Sequence, residues 1–330
     1  MRMNKMSPDL EVPLASQRSG ANAAKFKAML SHMFKKDLPK IPNQPESASF
    51  LLSALAWRGS VTPDVVLRVI VVAFYSMLVH WAAGFVPELS MPITPFEYSG
   101  AVLTLILVQR LNAGHDRWWE ARKIWGSITN QTRNLALVIA SYSDGQKALA
   151  KELLLWIAAW PHVMRESLRG ETRLKEVESM LGSVETGRLR AAGHMPLYVG
   201  QKIAALLDEM KKQGMDSFAF LRAETERSQL IDAIGACERI RGTRMPLVMV
   251  INTRRFILLF LLLLPLSMID RAGWLTPLVV ILTSYPLFSL DEIGAQLQSP
   301  FERQSLSHLP LDSICANIEA NVRQVMDNLN

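Results

Sequence analysis

Cysteine is scarce in this chain of 330 residues: there are two, Cys237 and Cys315. Neither sits in a metal-ligand spacing, which removes zinc-finger and thiol-redox classes, and the pair is expected as buried thiols on the cytosolic side. Strand-like alternation, internal repeats and low-complexity tracts are missing too, which excludes β-rich and solenoid folds. The first 20 residues lack an apolar core segment, so no cleavable signal peptide is expected. A net charge of +6 invites a nucleic-acid reading, but no nucleic-acid motif accompanies it and the basic residues cluster beside apolar runs. One further absence is local. Val86–Glu97 contains no Lys or Arg, while it carries Glu88 and Glu97.

What is present is four apolar runs: Val65–Phe85, Tyr98–Val108, Phe256–Ile269 and Gly273–Leu290. The first has 21 residues, with Arg68 its only formal charge, and is long enough to cross a bilayer as one helix. The others are shorter, as helices can be when they line a bundle or a wet pore. Basic residues collect in the N-terminal, middle and C-terminal segments and avoid the loop between runs one and two. By the positive-inside rule, both termini and the middle segment are cytoplasmic. Hydrophobic content of 49% with a mean hydropathy of +0.14 fits a chain about half membrane and half soluble.

The fold class expected is therefore all-α: four transmembrane helices and a helical cytosolic domain. Residues 1–45 are expected as a mostly disordered cytosolic tail, in which Ala23–Lys36 reads either as a short amphipathic helix on the inner leaflet or as more of the tail. Membrane helices 1 and 2 fall in 46–114, the cytosolic helical region in 115–245, membrane helices 3 and 4 in 246–292 and a helical cytosolic tail in 293–330. Ser60 or Thr62 should cap the first span ahead of Pro63. The second span starts near Pro95, and its helical period continues through Arg117–Ile139, predicting one long helix that leaves the membrane. Further helices are expected at Ala148–Trp160 (ended or kinked by Pro161), Tyr198–Lys212 and Ala223–Arg241.

The densest segment, Gln109 to Gly126, lies where the second span exits. Trp118, Trp119 and Trp125 among Arg117, Glu120 and Arg122 suit a membrane interface, and Trp118 could carry the Arg122 guanidinium on its ring. The segment reads either as an anchoring collar or as a charged vestibule beside a pore. His115 and Asp116 are adjacent on a helix and do not face each other, and no nucleophile joins them, so enzyme chemistry is not expected. Asp291 and Glu292, at the inner end of run four, either stay solvated or pair with Arg or Lys from another cytosolic helix.

Asp116-Arg117-Trp118-Trp119-Glu120-Ala121-Arg122-Lys123-Ile124-Trp125-Gly126 closely resembles the signature that follows the second span of bestrophins. Trp57-Arg58-Gly59-Ser60, Gly273–Pro277, Asp291–Gly294, Pro300-Phe301 and Leu309–Cys315 resemble further stretches of the prokaryotic branch, in the same order, over residues 55–325. The resemblance implies a pentameric channel in the inner membrane, passing small inorganic ions through a central pore, with chloride favoured by the family and monovalent cations possible. A non-conducting membrane scaffold or regulatory subunit is the alternative. It implies homo-oligomerisation, the bilayer and permeant ions as partners, no nucleic acid and no cofactor. It places the pore neck at Ala101, Leu105 and Gln109, which the i, i+4, i+8 spacing puts on one helix face. Only Leu105 of the three is a bulky apolar residue; the family prefers one at the other two as well. A cytosolic aperture is implied at Phe218, with Phe220 close enough to exchange with it. Family members that bind calcium do so through an acidic cluster after Pro-Phe. Here Glu302 stands beside Arg303, too few oxygens for that ion.

Overall fold

The computed structural model describes residues 50, 54, 56, 57, 59–86, 88 and 90–329. The tail over 1–45, the amphipathic stretch Ala23–Lys36 and Arg58 of the Trp57–Ser60 motif lie outside the described residues. Residues 60–330 form one unit. Among the described residues there is no strand. The helices are α1 (Thr62–Ala83), α2 (Thr94–Ser141), α3 (Lys147–Arg169), α4 (Lys175–Ala191), α5 (Met195–Lys212), α6 (Ser217–Gly242), α7 (Leu247–Ala272), α8 (Thr276–Gln296) and α9 (Leu311–Asp327). A single 3-10 turn, Gly273–Leu275, separates α7 from α8.

Two cores follow from two kinds of apolar pattern. α1, α7, α8 and the first third of α2 are apolar on most sides. Their buried centre is a small cluster of Leu103, Leu107, Ile257, Leu261, Leu264, Val280 and Leu287. Their outer faces leave Phe74, Trp81, Leu258, Leu259 and Leu282 exposed, far more apolar surface than water tolerates on a monomer. Among the described residues, two stretches are long and apolar enough to cross a membrane, Thr62–Ala83 and Leu247–Gln296. The second core is that of an ordinary soluble helical domain. The rest of α2 packs with α3, α5, α6 and α9 around Trp125, Ile128, Leu135, Leu153, Ile157 and Trp160.

α2 is one helix of 48 residues, as its uninterrupted period predicts. At 1.5 Å per residue it runs about 72 Å, joining both cores. Gly114 does not break it. A Cβ there would lie 3.0 Å from the Gly294 carbonyl oxygen and 3.1 Å from Leu297 Cβ, so glycine lets α2 and α8 touch backbone to backbone.

Three local details bear on the expectations. Of the two outcomes expected at Pro161, an end or a kink, the first does not occur: α3 continues to Arg169. α3 is buried on nearly every side between Leu153 and Leu168, and that packing outweighs a proline penalty of about 3 kcal/mol. The Pro161 carbonyl accepts the Cys315 thiol at 3.3 Å, tying α9 to α3. Second, the N-cap of α1 is Val61; Ser60 Oγ instead accepts the Thr62 N–H at 3.3 Å, one position short of a true cap. Third, α7 begins at Leu247, at the start of the expected 246–292 segment and nine residues before its apolar run, because Arg254 and Arg255 sit inside the helix and interrupt the pattern without interrupting the backbone.

Candidate functional site

The first third of α2 has two unlike faces. Leu103, Leu107, Arg110 and Gly114 are buried against α7 and α8. Ala101, Leu105 and Gln109 are exposed, Leu105 by 60%, and form a stripe that is not covered among the described residues. The three candidate neck residues therefore share a free face, and Leu103 is 3% exposed on the other side.

The roll of α2 is fixed by a buried ionic knot. The Arg110 guanidinium pairs with Asp291, with side-chain exposures of 4% and 2%. Asp291 also accepts from Arg254 Nε at 3.1 Å. Next to it, Glu292 accepts from Arg68 at 3.1 Å, and Gln296 approaches Asp64 at 3.4 Å. One turn of α8 thus binds α1, α2 and α7. Of the two readings, solvated or paired, Asp291 and Glu292 are paired, and their partners lie on α1, α2 and α7 rather than on a helix of the second core. A buried guanidinium requires a carboxylate, since an unpaired charge is costly to bury. Arg110 and Arg254 were not singled out in the sequence; a lone Arg at the end of an apolar run, with an Asp-Glu pair at the end of another, was the available signal.

Below the knot the signature segment divides. Asp116 is 84% exposed; His115 Nδ1 lies 3.9 Å from its carboxylate, a long and solvated approach. Arg117 donates from Nε to the Gln298 carbonyl at 2.9 Å and from its guanidinium to the Thr243 carbonyl. Trp118 does not carry Arg122. Its indole N–H donates to the Ser307 carbonyl at 2.7 Å, and its ring stacks on Trp119 with centroids 6.3 Å apart. Glu120 pairs with Arg239 at 3.3 Å. Arg122 is exposed. Trp125 is not an interfacial residue: it is fully buried in the soluble core. Trp125 keeps nearly the same helix face as Trp118, seven residues before it, and there joins the buried stripe with Ile128 and Leu135.

Phe218 opens α6 and is 83% exposed, its N–H and that of Ala219 accepted by the Asp216 carboxylate at 2.8 and 2.9 Å. Phe220 packs against the soluble core with the Lys211 ammonium 4.4 Å over its ring. The two phenylalanines are thus distinguished: only Phe218 is free to project. Glu302 is paired with Arg244, and the described residues hold no group of three or more His, Cys, Asp or Glu arranged for a metal.

A second polar cluster, missed in the sequence, lies between α3 and α9. Arg169 forks onto Asp312 at 2.8 and 3.0 Å, and Arg165 reaches Asp312 at 3.0 Å and Glu166 at 2.9 Å. Burial pushes the Asp312 carboxyl up, but Arg169, Arg165 and Arg303 outweigh it and hold it at about 2. Buried His162 sits 2.9 Å from Glu319. Burial lowers its imidazole below the usual range, Arg165 adds to this, and Glu319 and Glu176 oppose it. Burial pushes the Cys237 and Cys315 thiols up to about 12, which leaves both unreactive.

Residues 42–324 match the family model of the bacterial and fungal bestrophin proteins. A voltage-dependent anion channel-forming protein of Nostoc sp. is 34% identical over 276 residues, 82% of this chain and 89% of that protein. One of the same description from Mesorhizobium japonicum is 34% identical over 284 residues, 84% of this chain and 90% of that protein. The fold is also that of a bacterial bestrophin homolog from Klebsiella pneumoniae, with a TM-score of 0.75 at 20% identity, covering 80% of this chain and 98% of that one.

Proposed function

We propose, because this chain belongs to the bacterial and fungal bestrophin family, that the free face of α2 lines the conduction path of an ion channel. The protein is a membrane protein and an anion channel, the function that its family and the names of its relatives support; a channel, rather than an enzyme or a silent scaffold, is the favoured class. The observation that carries the assignment of the path is the stripe Ala101, Leu105, Gln109. It is exposed along a helix whose opposite face is clamped by Arg110, Asp291 and Gly114.

Several copies are needed to close such a path. The membrane part of α2 has about 11 uncharged residues, roughly 16 Å of helix, too short for a lipid-exposed span of about 30 Å. It makes sense where neighbouring subunits shield one side and water wets the other. Beside the stripe, an apolar groove of about 410 Å³ lined by Tyr98, Val102, Ile106, Leu259 and Leu263 offers a neighbour a surface to fill. A ring of five is the number that the resemblance implies. In this arrangement four helices (α1, the first third of α2, α7 and α8) cross the inner membrane. Both termini and residues 115–245 are cytoplasmic, and Phe218 narrows the cytosolic exit.

Within the neck, Leu105 is the dewetting ring, since Ala101 is small and the Gln109 amides can hydrogen-bond water. Purified protein in liposomes under a chloride gradient should carry current, and reversal potentials in asymmetric salt then give the sign of the ion. Sealed vesicles containing the assembled protein and passing no ion would overturn the assignment.

A further inference from the structure

The neck stripe does not stop at Gln109. Seven residues on, the first charge on the same face of α2 is Asp116. At 100° and 1.5 Å per residue it points within about 20° of Gln109 and lies about 10.5 Å further along the helix. Its carboxylate is 84% exposed, and among the described residues its recorded ion-pair contact is the long one to exposed His115. Nearby cations are committed elsewhere: Arg110 to Asp291, and Arg117 to the Gln298 and Thr243 carbonyls. Further down the face, Glu120 is matched by Arg239. Lys123 is about 10.5 Å beyond Asp116. The carboxylate is thus an unmatched charge at the inner end of the constriction, as the exposed Glu97, four residues before Ala101, is at the outer end.

We propose that Asp116 is a residue that sets ion sign. Repeated around the pore, it forms a carboxylate ring at the inner mouth of the neck, which enriches small cations there, depletes anions and so tempers anion preference. The inference rests on Ala101, Leu105 and Gln109 facing the axis. An uncharged neck does not choose between signs, so the choice falls to the charged positions at its two ends, Glu97 at the outer end and Asp116 at the inner, as charged rings do in other pores. The distance suits such a role. The screening length is about 8 Å at 0.15 M salt, comparable with the separation, and about 3 Å at 1 M, well short of it. The effect therefore belongs to low and physiological ionic strength.

The test is reversal-potential measurement on the full-length protein in liposomes or planar bilayers, under KCl gradients. The proteins are wild type, Asp116→Asn, Asp116→Lys and Asp208→Asn. Asp208 is a half-exposed carboxylate on α5, so its variant changes the charge equally at a place off the path. Asp116→Asn should raise the anion-to-cation permeability ratio roughly two- to fivefold near 0.15 M salt, from five unit charges at this distance with screening. Asp116→Lys should raise it further. Both shifts should shrink toward unity near 1 M, and Asp208→Asn should show none. A ratio unchanged in Asp116→Asn and Asp116→Lys, with Leu105→Ala still raising flux, overturns the role of Asp116 and leaves the neck standing. Unchanged flux in Leu105→Ala overturns the neck assignment and this inference with it.

Discussion

Removing Asp291 should be the most damaging single change in the membrane region, and the size of the loss can be worked from its partners. Asp291→Ala leaves the Arg110 guanidinium, 4% exposed, without a carboxylate. Breaking a buried pair by removing one member costs about 3–5 kcal/mol, because the surviving charge cannot reach water. Arg254 adds little, since its side chain is 53% exposed and can rehydrate. The double variant Asp291→Leu, Arg110→Met removes both charges and fills the space, so it should come back to within about 1 kcal/mol of the wild type or exceed it. Glu292→Ala is the internal control, because its partner Arg68 is 44% exposed and the bridge contributes less than about 1 kcal/mol. The assay is thermal unfolding of the detergent-solubilised protein. At 2–4 °C per kcal/mol, Asp291→Ala should lower the midpoint by roughly 6–20 °C and Glu292→Ala by a few degrees at most. Equal losses in the single and double variants would refute the reasoning, as would a loss in Asp291→Ala no larger than in Glu292→Ala.

Other outcomes follow from the same geometry. Leu105→Ala should raise ion flux and Gln109→Phe should lower it, while Leu103→Ala, on the buried face, should cost stability without opening the pore; equal flux changes at 103 and 105 would show the wrong face has been assigned. Gly114→Val should destabilise by roughly 1–3 kcal/mol, read as a lower melting midpoint, by forcing α8 away from α2. Gly126→Ala, whose nearest neighbour is the flexible Arg122 side chain at 3.7 Å, should be tolerated. Stability should fall as pH drops below about 6.5, because His162 is held neutral when folded and binds a proton more readily when unfolded; His162→Gln should flatten that slope in pH-dependent melting. The Asp312 contribution has the same direction but a lower window: it is present above 3.8 and lost as pH falls toward about 2. A cysteine at Ser90 should be labelled by an impermeant thiol reagent from outside intact cells and one at Ser217 should not, with buried Cys237 and Cys315 silent; the reverse pattern would invert the topology.

The helices were legible where a long apolar or 3.6-residue pattern spoke alone. α2 is the strongest example, since its period runs through the change from apolar to charged surroundings. The pattern could not choose where tertiary packing outvotes local chemistry, as at Pro161, where an end and a kink were both expected and the burial of α3 carries the helix through. It failed again where a charge is hidden by a partner far away in the chain. Arg110 and Asp291 are 181 residues apart, and nothing local to either says that they meet. Phe218 and Phe220 could not be separated by spacing alone; the turn set by Asp216 decides which is free. Trp125 misled because indole among charges suits an interface as well as a core, and only the packing of α3 and α6 on α2 distinguishes the two.

The unbroken course of α2 also limits how the protein can be rebuilt. Residue 114, where a membrane part would be cut from a cytosolic part, lies in mid-helix, and the glycine there is in contact with α8. Exchange of halves with a relative would therefore have to conserve phase as well as sequence. A splice that gained or lost one residue would turn Leu105 by 100° relative to Trp125, so that one of them must leave its place. A splice of seven residues would err by only about 20° and lengthen the shaft by about 10.5 Å. Chimeras should thus succeed or fail by the remainder of their insertion on division by the helical repeat, largely independent of which residues are inserted.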